Sequence, residues 1–93
     1  MAASTQRFKL VFFVPTTALA ICKKAIFEAG AGRYVNYQEV CFQTPGKGQF
    51  RPVDGAKPNV GEVGKLEEVE EVRVETVCSG REVAKKAVEA LKE

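Results

Sequence analysis

The 93-residue sequence contains no histidine and no tryptophan, and it contains a single methionine. Histidine is the general base of the usual catalytic triads, so neither Ser79 nor any cysteine has the partner that would activate it as a nucleophile. No other residue pattern supplies a nucleophile together with a base. We therefore predict no catalytic residues and a protein that is not an enzyme.

Cysteine is scarce and unpaired in the sequence. Cys22, Cys41 and Cys78 are widely spaced, and no C-x-x-C pair is present. A structural zinc site needs four nitrogen or sulfur ligands, commonly in close pairs, so we predict no metal site and no cofactor. Reduced, buried thiols are typical of intracellular proteins, which predicts a cytoplasmic location. A soft-metal site shared between subunits and a redox thiol are the functional alternatives.

Neither sign of charge dominates, because the sequence has 14 lysines and arginines and 12 acidic residues, which gives a net charge of +2. The basic residues are scattered, which predicts no nucleic-acid partner and no attraction to an anionic membrane. No apolar stretch reaches the roughly 20 residues of a membrane-spanning helix. The apolar run at residues 10–14 is ended by Pro15, so it is too short for the core of a signal peptide.

Alternation of apolar and polar residues predicts the strands. Residues 8–14, FKLVFFV, and residues 69–77 are the clearest, with Val72, Val74 and Thr76 sharing one face of the second. Residues 37–44 are predicted to form a further strand. A turn at PGKG, residues 45–48, and a short edge arm at residues 49–53 are predicted to follow it.

Two helices are predicted from periodicity and from capping signals. Thr16 or Thr17 is predicted to cap the first helix, and Gly30 to end it. Ser79 and Glu82 form an S-x-x-E capping box that predicts the start of the second helix. The apolar side of the first helix comprises Ala18, Leu19, Cys22, Ala25, Ile26 and Ala29, and that of the second comprises Val83, Ala84, Ala87, Val88 and Leu91.

The predicted order is β-α-β-(β)-β-α, in one α+β domain at residues 8–93 after a flexible lead at residues 1–7. Both helices would cover one face of an antiparallel sheet, which is the ferredoxin-like arrangement without its final strand. That strand would lie beside residues 8–14 and protect an apolar edge. Its absence indicates either that a partner chain supplies a strand or that the sequence is a truncated form.

The sheet face opposite the helices is predicted to carry Val11, Phe13 and Val77. A partly apolar open face favours contact between the sheets of two subunits, which predicts a homo-oligomer, either a dimer or a trimer. Tyr37, which would share a strand face with Cys41, is a further candidate for the subunit interface. A local crossing by residues 46–65 is the alternative cover for this face.

Three segments carry a family resemblance: KLVFFVP at residues 9–15, FEAGAGR at residues 27–33, and NYQEVCFQTPGKGQFRPVDGAKPNVGEVGKLEEVEEVRVETV at residues 36–77. Their combination of AGAGR, G-x-G-x-F-x-P and GEVG-x-LE-x-VEE resembles the insert domain of the Nif-three-like, YqfO-type family of dinuclear metal-centre proteins. It resembles the short stand-alone relatives of that insert still more closely. The resemblance implies a PII-like or CutA-like oligomer. It also implies that the dinuclear metal ligands belong to flanking domains.

Two glycine-rich segments are candidate ligand loops. The stretch that ends in Gly64 and Lys65 is not a P-loop, because Asn59 and Leu66 stand where a glycine and a hydroxyl residue are needed. Since the PII-like folds implied by the resemblance bind small anions between subunits, this stretch and the GKGQFR segment are candidate sites. Turns that need glycine are the alternative. The candidate residues for a small anionic ligand or a protein partner are Gly46, Gly48, Arg51, Gly61, Gly64 and Lys65.

The sequence and the resemblance together predict a non-enzymatic oligomeric module that binds a small ligand or a protein partner at subunit junctions. One alternative is a CutA-like metal-associated protein that uses cysteines and carboxylates across an interface. Another is an accessory domain of a dinuclear-metal, hydrolase-like enzyme.

Overall fold

The computed structural model describes residues 6–55 and 61–92. Within them the chain forms a small α+β fold, with two helices and a three-stranded antiparallel sheet in the order β1-β3-β2. Residues 1–5 of the predicted lead lie outside the described residues. The elements are β1 (Arg7–Pro15), a 3-10 turn (Thr16–Ala18), α1 (Leu19–Glu28), β2 (Phe42–Phe50), β3 (Glu67–Ser79) and α2 (Arg81–Leu91).

The central strand β3 organises the sheet. Its residues 71–79 pair with β1 and its residues 67–75 pair with β2, both antiparallel. Val72, Val74, Thr76 and Cys78 are buried under the helices, while the alternate side chains point to the open face. The predicted alternation along β3 is therefore confirmed.

Both helices pack on one face of the sheet, where the core consists of two clusters. In the first, Ile26 of α1 and Ala87 of α2 meet Cys78 of β3, with Phe8 and Phe12 of β1 packed around them. In the second, Val14, Val72 and Val74 are covered by the start of α1. Burying such side chains contributes about 1.5–3 kcal/mol each, which is the main source of stability here. Across residues 6–55 and 61–92, no helix is both long and apolar enough to cross a membrane.

The PGKG segment lies inside β2, so the prediction of a turn at residues 45–48 is wrong. Pro45 is opposite Val72, and Gly48 is opposite Val69. Residues 49–53 do not form a separate arm, because β2 continues to Phe50. Proline is tolerated in an edge strand where its nitrogen faces away from the neighbouring strand. The observed order within the described residues is thus β-α-β-β-α.

The sheet has a two-stranded extension. β3 residues 67–70 pair with β2 but not with β1, so this part of the sheet continues as a ribbon. The molecule measures 58 × 24 × 18 Å with a radius of gyration of 16.2 Å, against about 12 Å for a compact domain of this length. β1 and β2 are the edge strands, and within the described residues neither has a second neighbour.

The predicted side-chain caps of both helices are wrong. The N-cap residue of α2 is Gly80, not Ser79, and it makes no side-chain cap hydrogen bond. Its N–H instead donates to the carbonyl of Gln6 at 2.8 Å, which ties the start of α2 to the residue preceding β1. A 3-10 turn at Thr16–Ala18 precedes α1, and neither the turn nor the helix has a side-chain cap bond.

The connection from α1 to β2 is anchored through Gly32. Its N–H donates to the carbonyl of Val77 at 2.8 Å, and its carbonyl accepts from the N–H of Val40 at 2.9 Å. The buried hydroxyl of Thr76 then donates to the carbonyl of Val40 at 2.7 Å. These bonds attach the AGAGR motif directly to β3.

Candidate functional site

The open face of the sheet carries aromatic side chains on both sides of a charged row. Across the strands, Val11 of β1 is opposite Glu75 of β3, which is opposite Phe42 of β2. Phe13 is likewise opposite Arg73. Phe13 is 64% exposed and Phe42 is 67% exposed. Large aromatic groups are normally buried, so this exposure makes the face a candidate contact surface.

The charged row on β3 is held by ion pairs. Arg73 Nη1 lies 2.5 Å from Glu75 Oε2, and Lys9 Nζ on β1 lies 3.4 Å from Glu75 Oε1. The hydrogen bond from Arg73 lowers the pKa of Glu75 below its ordinary value, and Lys9 adds to this effect against an opposing contribution from desolvation. Glu75 is therefore a fixed negative charge between two cations at neutral pH.

The low pKa of Glu75 predicts a contribution to the pH dependence of stability. A carboxyl whose pKa is lower in the folded state stabilises the fold above its unfolded pKa of about 4.3, and this contribution is lost as pH falls through the folded pKa. We expect Glu75→Gln to lower the melting temperature at pH 7 but to have little effect at pH 2. Thermal melts at both pH values test this. The same loss at pH 2 as at pH 7 would contradict it, and the exposed Glu89→Gln is the control.

A groove of about 500 Å³ opens on this face where β2 passes the end of β1. An added Cβ at Gly48 would overlap the carboxylate of Glu71, so the absence of a side chain there lets Glu71 lie across β2. The groove offers an aromatic wall, a guanidinium and a carboxylate, which suit recognition of a polar ligand rather than covalent catalysis. Its lining residues are Phe13, Thr44, Pro45, Gly46, Lys47, Gly48, Glu71 and Arg73.

The structure brings together only part of the predicted site. Gly46 and Gly48 share the groove with Phe13, while Val11 and Val77 lie farther along the same face. Tyr37 does not belong to a strand, so that prediction is wrong. It pairs with Tyr34 in a tight turn, where it is 69% exposed.

The remaining candidates lie beyond the ends of the paired strands, near the tip of the ribbon. Arg51 follows β2, whereas Gly61, Gly64 and Lys65 precede β3. The N–H of Gly64 donates to the carbonyl of Pro52 at 2.6 Å, so this donor serves to close the loop. Asn59, which stands where a P-loop needs a glycine, lies outside the described residues.

Sequence reasoning missed Phe42 and Arg73 as site residues. The signal for Phe42 was the two-residue period that joins it to Thr44, Gly46, Gly48 and Phe50, all on the open face. The PGKG segment hid this period because proline and glycine resemble turn residues. The alternation along β3 puts Arg73 on the face opposite Val72 and Val74, but its pairing with Glu75 depends on rotamers that the sequence does not show.

The cysteines provide no metal-binding cluster. Cys78 is fully buried, and burial raises the pKa of its thiol. Cys22 and Cys41 are half-buried against the second core cluster. Within the described ranges, no group of three or more cysteine, aspartate and glutamate side chains is arranged to hold a metal ion.

Comparison with known proteins gives the family relationship. The GTP cyclohydrolase 1 type 2 homolog of Bacillus subtilis (strain 168) is 48% identical over 69 residues, which cover 74% of this chain and 18% of that protein. The homolog of the same name from Mycobacterium leprae (strain TN) is 45% identical over 73 residues, covering 78% and 19%. No family model matches the chain.

A solved structure agrees with these relatives. The crystal structure of a Bacillus cereus protein related to NIF3 superimposes with a TM-score of 0.79 at 36% identity, covering 97% of this chain and 22% of that one. Sequence and structure thus identify the same class of protein, and the predicted kinship is confirmed. The chain is a NIF3-like relative, and it spans about a fifth of the length of the proteins it matches.

Proposed function

We propose that this chain is a non-enzymatic module that self-associates through the open face of its sheet. The observation that carries the proposal is the exposure of Phe13 and Phe42 on either side of Arg73 and Glu75, the charged row of β3. Apolar groups flanking a row of both charge signs suit contact with a second copy, because each cation can meet a carboxylate across a symmetric interface. A dimer or a trimer would satisfy this geometry.

The groove beside Phe13 is the proposed place for a small anionic ligand or a protein segment. Arg73 supplies a guanidinium that binds carboxylates and phosphates well, and it lies on the face that we assign to the subunit junction. Arg51 and Lys65, which lie near the tip of the ribbon, are proposed to approach the same ligand from a neighbouring subunit. Glu71 would select for a ligand that also carries a hydrogen-bond donor.

The proposed junction fits a finer description of the fold. The sheet order β1-β3-β2 with both helices on one face agrees with the first three strands of a ferredoxin-like, PII-like or CutA-like domain. A further strand in that arrangement would lie beside β1. Three free cysteines support a reducing, cytoplasmic location.

Native mass measured by light scattering after size exclusion tests the proposal. We expect the wild type to be a dimer or a trimer and Phe13→Glu to be a monomer, because a charge replaces an aromatic contact worth about 2 kcal/mol or more. The control is Ile21→Glu, since Ile21 is 74% exposed on α1, away from the open face. This variant should keep the wild-type mass. A monomeric wild type, or equal loss of assembly in both variants, would refute the open-face interface.

A second candidate function follows from the length of the relatives. Because the chain corresponds to about a fifth of those proteins, it could act as an accessory domain for an enzymatic activity located elsewhere in such proteins. Pull-down of a NIF3-related protein that retains the other segments would support this role. The open-face variants distinguish the two functions, because self-association can be measured in the absence of the NIF3-related protein.

A further inference from the structure

A second groove lies on the helix side of the molecule, away from the open face. It has a volume of about 530 Å³ and separates one stripe of α1 from the connection that leads to β2. This volume falls within the range of about 300–1,000 Å³ that is typical of small-molecule sites. The residues that line it are Ala20, Lys23, Lys24, Phe27, Glu28, Arg33, Gln38 and Glu39.

The AGAGR motif explains how Arg33 reaches this groove. Gly32 is buried and bonded to β3, and an added Cβ there would lie 3.0 Å from the ring of Phe27. Packing at Gly32 therefore fixes both the start of the connection and the aromatic wall of the groove. The buried Gly32 is needed for packing, whereas Arg33 is exposed and forms no side-chain hydrogen bond or salt bridge with the other described residues.

Two of the three cations of the groove, Lys24 and Arg33, are available to a ligand. Lys23 donates to the side-chain oxygen of Gln43 at 2.9 Å, which holds its ammonium group beside the end of the sheet. Among residues 6–55 and 61–92, neither Arg33 nor Lys24 forms a salt bridge, although Glu28 and Glu39 line the same groove. A guanidinium without a carboxylate partner retains all its donors for a bidentate anion.

We infer that this groove binds a small phosphate monoester that carries an aromatic ring. Arg33 and Lys24 bind the phosphate, and the ring lies against Phe27 in an offset arrangement. Glu28 and Glu39 accept hydrogen bonds from hydroxyl or amino groups on the ring, and they disfavour ligands that offer only negative charge. The site is complete within one subunit, so it does not depend on the proposed open-face interface.

Phenyl phosphate and inorganic phosphate are suitable probes, titrated by calorimetry at low ionic strength. We expect phenyl phosphate to bind about fivefold more tightly, because the ring gains contact with Phe27. Arg33→Gln should weaken phenyl phosphate binding about tenfold, whereas Glu28→Gln should strengthen it two- to threefold, on the order expected for single charges in a partly solvated site. Circular dichroism and thermal melts establish that each variant is folded.

The matched control is Lys85→Gln, on the exposed side of α2, which removes the same charge outside the groove. Its affinity for phenyl phosphate should equal that of the wild type. Equal weakening by Lys85→Gln and Arg33→Gln would overturn the site in favour of attraction by net charge alone. Absence of binding by the folded wild type would also overturn it. Binding that persists in Phe13→Glu separates this inference from the subunit-interface proposal.

Discussion

Gly32→Ala is expected to destabilise the fold by about 3 kcal/mol, a large fraction of the total for a small domain. Gly32 has a φ of +72°, and an added Cβ would lie 2.6 Å from the carbonyl oxygen of Val40 and 2.9 Å from its nitrogen. Both atoms belong to the backbone, and Gly32 bonds that segment to Val77. The clash therefore cannot be relieved by a side-chain rotation. A thermal melt should show a decrease of about 10–20 °C.

Gly64→Ala is the matched control for this effect. Gly64 also has a positive φ, of +82°, but nothing lies within 4 Å of an added Cβ. The free energy of unfolding of this variant should fall by only about 1 kcal/mol, the cost of placing alanine at a positive φ. The difference between the two variants isolates the close approach of the backbone at residue 40. Equal melting temperatures for the two would show that Gly32 is needed for its backbone angles alone.

Ile26→Ala is expected to cost about 3–4 kcal/mol in the free energy of unfolding. Ile26 of α1 is fully buried, with 0% exposure, against α2 and Cys78 of β3. Truncation removes apolar burial and leaves a cavity that two packed helices close only in part. Urea denaturation at a fixed protein concentration measures the change, since the proposed self-association would make apparent stability depend on concentration.

The control for Ile26→Ala lies on the same helix. Ile21 is 74% exposed, so Ile21→Ala makes the same chemical change and the same gain in helix propensity without loss of core contacts. We expect its free energy of unfolding to stay within about 0.5 kcal/mol of the wild type. A similar cost at both positions would contradict the placement of Ile26 in the core.

Much of the fold could be predicted because local patterns and tertiary packing agree there. β1, β3 and both helices have apolar residues on the face that the structure buries, and Cys22, Ile26 and Ala87 lie on the predicted sides. β2 was predicted only in part, because its PGKG segment favours a turn locally. Pairing with the long central strand β3 overrides that preference.

The candidate sites were less predictable because they depend on contacts between distant parts of the chain. The pattern of β1 placed Phe13 on the open face, but the groove beside it requires the register of β2 against β3. Arg33 was part of a recognised motif, yet its place in the same groove as Lys24 depends on the bonds of Gly32 to Val77 and Val40. A sequence pattern identifies the face of a strand or helix on which a residue lies. A site forms only where the faces of several elements come together in the fold.

The two edges of the sheet differ in a way that limits how copies can add to it. Pro45 leaves the outer edge of β2 without one backbone donor, whereas residues 8–14 of β1 include no proline. A strand from another molecule can therefore pair fully along β1 but not along β2. Growth into a cross-β fibril requires two permissive edges on every copy. Pairing at β1 would end after one added strand, so this asymmetry protects the chain against open-ended aggregation.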